Sequence, residues 1–229
     1  MEAWKTGAMP GPTIAGVPVP PACFPVLAMP TRRTDPTSRQ FDLLGAGVPA
    51  QVHRLFFALL PGETEGARIE RAATVAVATQ HLRARMIRPS RYHATLHFLG
   101  DHPSLRSDIV DGAIAAAGKL RCAPFELVLD GVAGFHGREP PCVLRCSQVP
   151  PELQGLWQDL RQALTLAGLG NHLARVFTPH VTFAYSRGAL PEAMPIEPIS
   201  WRVEGFALLH SIVGGGEYRT LDAWRFSPV

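Results

Sequence analysis

Apolar and polar side chains are arranged in short runs between His53 and Phe226, most of them ending at glycine, proline or a charged residue. His53-Arg54-Leu55-Phe56-Phe57-Ala58-Leu59-Leu60 is almost wholly apolar and stops at Pro61-Gly62, the pattern of a buried strand. Residues 63–83 have helix-favouring composition. Tyr92-His93-Ala94-Thr95-Leu96-His97-Phe98-Leu99 alternates and ends at Gly100, which predicts a strand with two different faces. A helix over 104–119, capped by Ser104 after Pro103, follows. Strands are predicted at 124–131 and 142–146, a helix at 150–167 and a strand at 180–185. Two last strands, about 201–212 and 218–226, flank Gly214-Gly215-Gly216. No strand–glycine–helix context surrounds those glycines, so they read as a turn rather than a phosphate loop. Hairpins mixed with helical connections predict an α+β protein with mainly antiparallel sheet.

Residues 1–50 break this texture. They hold 9 of the 22 prolines and show neither periodicity, a composition that cannot bury a core. The expectation is either a flexible extension or a start codon placed too early, followed by one domain over 51–229. No run reaches the roughly 18 apolar residues of a membrane span. The apolar stretch Ile14 to Met29 is broken by prolines and lacks a basic lead-in, so it does not read as a secretory signal. Four irregularly spaced cysteines do not form a disulfide framework, and reduced thiols in the cytoplasm are expected. The formal net charge of +3 is too small to hold duplex DNA unaided. All the basic residues except Lys5 and Lys119 are arginine, which suits a phosphate ligand but also follows from a GC-rich coding sequence.

Two segments echo one another: His93-Ala94-Thr95-Leu96 and, 87 residues later, His180-Val181-Thr182-Phe183. Chance supplies about 0.5 H-x-T triplets in a chain of this composition, and an apolar fourth residue halves that. Alternation puts His93 and Thr95 on one strand face, with Ala94, Leu96 and Phe98 on the other. The same holds for His180 and Thr182 against Val181 and Phe183. Two imidazoles on one cleft supply a general base and a general acid near neutral pH. Two hydroxyls beside them can donate to the non-bridging oxygens of a phosphoryl group. The bland alternative, polar residues on a solvated strand face, fits either segment singly better than it fits the pair.

The pair resembles the signature of the two-histidine (2H) phosphoesterase superfamily, and the surroundings resemble its RNA 2′,3′-cyclic phosphodiesterase or 2′-5′ RNA ligase-like branch. The resemblance rests on Arg54-Leu55-Phe56-Phe57-Ala58-Leu59, on His93 to Gly100, on Pro124-Phe125-Glu126-Leu127 with Leu129-Asp130-Gly131, on Thr178-Pro179-His180-Val181-Thr182-Phe183 and on the Gly216 to Leu221 hairpin. It spans about 52–229. It implies a bilobed fold, two mainly antiparallel sheets with helices outside around a central cleft. It implies His93 as proton donor to the leaving 3′ oxygen, His180 as the base that activates water, and Thr95 and Thr182 as phosphate ligands. The implied reaction hydrolyses RNA ends carrying 2′,3′-cyclic phosphate, tRNA fragments among them, to a 2′-phosphate without metal or cofactor. The alternatives are 2′-5′ ligation of RNA halves and a non-catalytic RNA- or nucleotide-binding module. A monomer is expected, with no duplex DNA and no membrane as partner.

One departure stands out. Many relatives carry a basic residue five positions after the second motif histidine, where this chain has Tyr185. Arg187 is a candidate substitute, and Tyr185 a candidate base-stacking residue. Arg83, Arg85, Arg88 and Arg91 cluster before the first motif. They either line the cleft and grip RNA, Arg91 foremost, or serve a helix C-terminus. His97, on the same nominal face as His93, borders the cleft or ends the strand exposed. The His93–His97 spacing lacks the glutamate of a helical zinc pair, and Cys122, Cys142, Cys146 and His136 lack a C-x-x-C, so the cysteines read as small buried hydrophobes. Trp157, Trp201 and Trp224 read as core.

Overall fold

The structure, a computed structural model, describes residues 51–227 apart from Arg138 and Leu190, so the proline-rich segment 1–50 lies outside the described residues. The elements are β1 His53–Leu59, α1 Glu63–Thr79, β2 Ala84–Met86, β3 Ala94–His102, α2 Ser107–Ala117, β4 Phe125–Gly134, β5 Pro141–Arg145, α3 Pro151–Leu166, β6 His180–Ser186, β7 Met194–Val203, β8 Gly205–Ile212 and β9 Arg219–Arg225. The fold is α+β, and every strand pairing is antiparallel.

The strands form one nine-stranded sheet of order β7-β4-β5-β6-β3-β1-β8-β9, with β2 also on β6. This corrects the expected two sheets. Two four-stranded halves do exist, but the motif strands β3 and β6 join them through the pair Ala94–Val181. The halves have matching connectivity, β1-α1 leading to β3 in one and β5-α3 leading to β6 in the other.

All three helices contribute to one core cluster on one face of the sheet. In α3, Leu153, Leu156, Trp157, Leu160 and Leu164 recur at helical spacing and are buried, and Pro151 opens the helix where its missing N–H costs nothing. In α1, Ile69, Ala73 and Ala76 make the narrower buried stripe. Leu55, Phe57 and Leu59 face this core, whereas Phe56 and Ala58 join Ala207 and Leu209 in a second cluster on the other face. Burial from both sides explains the unbroken apolar run of β1. Trp157 and Trp201 are core residues, Trp224 is half-buried against the core, and Cys142 and Cys146 are buried free thiols whose pKa burial pushes up.

Several boundaries differ from expectation. The second helix starts at Ser107 and Ser104 does not cap it; Arg106 occupies the cap position and pairs with Asp108 in the first turn instead. The expected strand 201–212 is two strands, β7 and β8, broken at Glu204, because their partners lie in opposite halves of the sheet. β2 was not legible: three residues carry no period. β3 runs past Gly100, which pairs with Leu55 at φ 114°, a conformation that spares glycine alone. Among the described residues no helix is long and apolar enough to cross a membrane.

Candidate active site

The two motif strands meet head to head. With Ala94 opposite Val181 in an antiparallel ladder, the register sets Thr95 level with His180 and His93 level with Thr182. The four residues, two pairs 87 positions apart in the chain, thus share one patch on the sheet face away from the helices.

Each motif contains a β-bulge at the same place. Across β1, Ala58 pairs with Thr95 and Phe57 with His97, leaving Leu96 unpaired. Across β5, Val143 pairs with Thr182 and Cys142 with Ala184, leaving Phe183 unpaired. Burial follows the same order in both strands: residues 94–99 and 181–186 each read buried, half-buried, buried, buried, half-buried, buried. The bulge turns two successive side chains inward and so brings the fifth residue after each motif histidine, Phe98 and Tyr185, back to the cleft face.

That geometry corrects two expectations from strict alternation. His97 does not border the cleft but is 1% exposed, and Phe98 lies on the cleft face against Phe56 rather than in the helix-side core. The His97 ring stacks on Trp157 and its Nε2–H donates to the Trp157 carbonyl at 2.9 Å, while burial pushes its pKa down to about 4.

Each bulge carbonyl is held from outside the ladder. The Trp157 indole N–H donates to the Leu96 carbonyl at 3.0 Å, and the Ile87 backbone N–H to the Phe183 carbonyl at 2.8 Å. Trp157→Phe keeps the ring and removes the donor, leaving the buried Leu96 carbonyl unpaired. The expected cost is about 1–3 kcal/mol, read as a lower urea midpoint at unchanged slope.

The imidazoles are held alike. His93 Nδ1–H donates to the Arg91 carbonyl at 2.9 Å, and His180 Nδ1–H to the Thr178 carbonyl at 2.7 Å. A carbonyl can only accept, so each Nδ1 carries the proton and each Nε2 is left with a free lone pair for chemistry. His93 sits against Phe56 and Tyr218 with ring centroids 5.1 and 5.2 Å away, and His180 against Phe135 at 4.9 Å. Burial pushes the His93 pKa down to about 4, opposed by the Arg91 carbonyl and assisted by the His180 and Arg91 charges. Burial also lowers His180, against the pull of the Thr178 carbonyl. Phe56 and Tyr218 lie in segments that carry the family resemblance, but nothing in the sequence pairs them, or Phe135, with the motif histidines, since the three come from separate elements or loops.

Arg91, on the turn before β3, stacks its guanidinium 4.6 Å from the Tyr218 ring and donates to the Tyr218 hydroxyl at 3.2 Å. Its Nε is buried with no partner among the described residues. Arg85 stands opposite Tyr185 on β2, and the Arg187 backbone N–H donates to the Arg83 carbonyl at 2.6 Å. The arginines near Arg83 do not serve a helix end: α1 stops at Thr79 with no basic residue in its last turn.

The arrangement can take a proton at one Nε2, give one at the other, and hold an anion between two hydroxyls and Arg91. The described chain is similar in fold and sequence to known proteins. A crystal structure of E. coli LigT in apo form aligns with 27% identity over 78% of this chain and 99% of that one, with a TM-score of 0.61. E. coli LigT complexed with 3′-AMP aligns with 25% identity, the same coverage and a TM-score of 0.59. The protein TT0787 of Thermus thermophilus aligns with 27% identity over 76% of this chain and 97% of that one, with a TM-score of 0.59. No curated protein sequence gives a significant match. The family model of the 2′-5′ RNA ligase superfamily matches residues 61–215, which include both H-x-T motifs, and the chain belongs to that superfamily of two-histidine phosphoesterases.

Proposed function

We propose that the protein hydrolyses terminal RNA 2′,3′-cyclic phosphate to a 2′-phosphomonoester by acid–base catalysis between His180 and His93. The observation that carries this reading is the Ala94–Val181 pair, which sets two imidazoles with free Nε2 atoms beside two threonine hydroxyls. His180 Nε2 removes a proton from water as its oxygen bonds to phosphorus. The bond from phosphorus to O3′ breaks, and His93 Nε2–H delivers a proton to the departing oxygen. Thr95 and Thr182 donate to the non-bridging oxygens, where charge accumulates. Which imidazole is acid follows from the family resemblance; the two sites are near-equivalent in geometry. The complex of E. coli LigT with 3′-AMP supports a nucleotide ligand for this cleft. Ligation would use the same groups in the same roles, a 5′-hydroxyl attacking in place of water, but water at about 55 M is the favoured nucleophile unless the cleft excludes it.

The test is an RNA oligonucleotide ending in 2′,3′-cyclic phosphate, incubated with the protein in excess EDTA. A phosphatase-sensitive 2′-phosphate end supports the reading. RNA that stays unchanged alone but is joined to an added 5′-hydroxyl acceptor points to ligase; RNA bound but unchanged in both cases points to a binding module.

The pH dependence has a definite sign. Both free imidazoles hold protons less tightly than an ordinary histidine, His93 down to about 4. The productive form carries one proton on the pair, so it becomes scarcer as pH rises above both values. The expected kcat/KM profile peaks on the acid side of about pH 6.5 and falls about tenfold per pH unit above it. The bound phosphodiester anion favours imidazolium, so the alkaline limb of kcat lies at higher pH. A kcat/KM that stays flat well into the alkaline range would contradict the burial of the pair.

A further inference from the structure

Beyond the reacting phosphate, the cleft face carries a second feature at the far end of β6. The bulge at Phe183 puts Tyr185 on the same face as His180 and Thr182, two ladder steps past Thr182, or about 7 Å. β2 sets Arg85 opposite Tyr185, with its guanidinium 5.2 Å from the ring centroid. Arg85, Tyr185 and Arg187 border a cavity of about 180 Å³ together with Glu139 and Ser186. That is smaller than a site for a whole drug-sized ligand but has room for one planar ring or one phosphate. The carboxylate of Glu139 lies 4.0 Å from Arg85 with both side chains more than half exposed, a contact too weak to withhold the guanidinium from an anion.

We propose that Arg85 and Tyr185 form a subsite for the penultimate ribonucleotide, the one 5′ of the nucleoside that carries the cyclic phosphate, its base stacking on Tyr185 and a phosphate of the chain pairing with Arg85. β2 brings a cation across the ladder to one face of the Tyr185 ring, and the base stacks on the other face. The enzyme therefore selects oligonucleotide ends over cyclic mononucleotides. This inference rests on the proposed hydrolysis for its substrate, but its binding arm does not need turnover.

The experiment compares a cyclic mononucleotide with a trinucleotide ending in 2′,3′-cyclic phosphate, in the wild-type protein, Arg85→Gln, Tyr185→Leu and Tyr185→Phe. Arg85→Gln and Tyr185→Leu are expected to lower kcat/KM on the trinucleotide at least about tenfold more than on the mononucleotide, through KM. Tyr185→Phe keeps the ring and should hold the wild-type preference. Equal losses on both substrates, or no loss, overturn the subsite while leaving hydrolysis standing. In parallel, calorimetry measures binding of the 2′-phosphate trinucleotide and the 2′-phosphate mononucleotide. If the wild-type protein turns over neither substrate, the hydrolase reading fails. A trinucleotide that then binds more tightly than the mononucleotide, with the difference lost in Arg85→Gln, still supports the subsite; equal affinities overturn it.

Discussion

Replacing His93 or His180 by alanine is expected to cut kcat on an RNA 2′,3′-cyclic phosphate by about 10²–10⁴-fold each. Both rings lie on the cleft face, away from the helix-side core, so the fold should survive the change. The two act on one proton-transfer sequence, so the double variant should lose little more than the worse single one. A substrate with sulfur in place of the bridging 3′ oxygen separates the roles, because a thiolate leaves without a proton. That substrate should restore much of the rate to His93→Ala and none to His180→Ala. Restoration in His180→Ala instead would exchange the acid and base assignments, and restoration in neither would remove the acid–base pair from the mechanism.

Thr95→Val and Thr182→Val are each expected to lower kcat about 10²-fold, with a smaller effect on KM. The reason is where the charge sits. A hydroxyl that donates to a non-bridging oxygen is worth more as that oxygen gains charge in the transition state than in the ground state. Valine has nearly the same shape, and both threonines are half-buried on the cleft face rather than in the helix-side core. Serine at either position restores the donor and should recover most of the rate. If valine leaves kcat unchanged, the phosphate is held elsewhere, and Arg91, which packs on Tyr218 beside His93, is the group to change next.

The near-symmetry of the cleft bears on how the site could be read at all. The H-x-T pattern is legible because alternation is a local property of an extended chain. It assigns His93 with Thr95, and His180 with Thr182, to shared faces without knowledge of any partner strand. The same rule fails just beyond the first motif. Strict period two sends Phe98 inward and His97 outward, and the bulge at Leu96 reverses both. A bulge depends on what the neighbouring strand and the packed helix accept; here Trp157 of α3, 61 residues away in sequence, holds the bulge carbonyl. The role of Arg85 was hidden for a related reason. Its place in an arginine-rich segment was visible, but β2 is too short to show a period, and only pairing with β6 sets Arg85 over Tyr185.

By itself the sequence determined the α+β class, the apolar runs that become the strands and the helix stripes, and the two His–Thr units, because each depends on side-chain period within one segment. The tertiary structure decided that the two halves share one sheet, that the units meet at Ala94 and Val181, and which aromatic and arginine side chains wall the cleft. Those outcomes depend on hydrogen-bond registers between strands distant in the chain. Such a register is fixed only when both strands bury their apolar faces together, and no single segment carries that information.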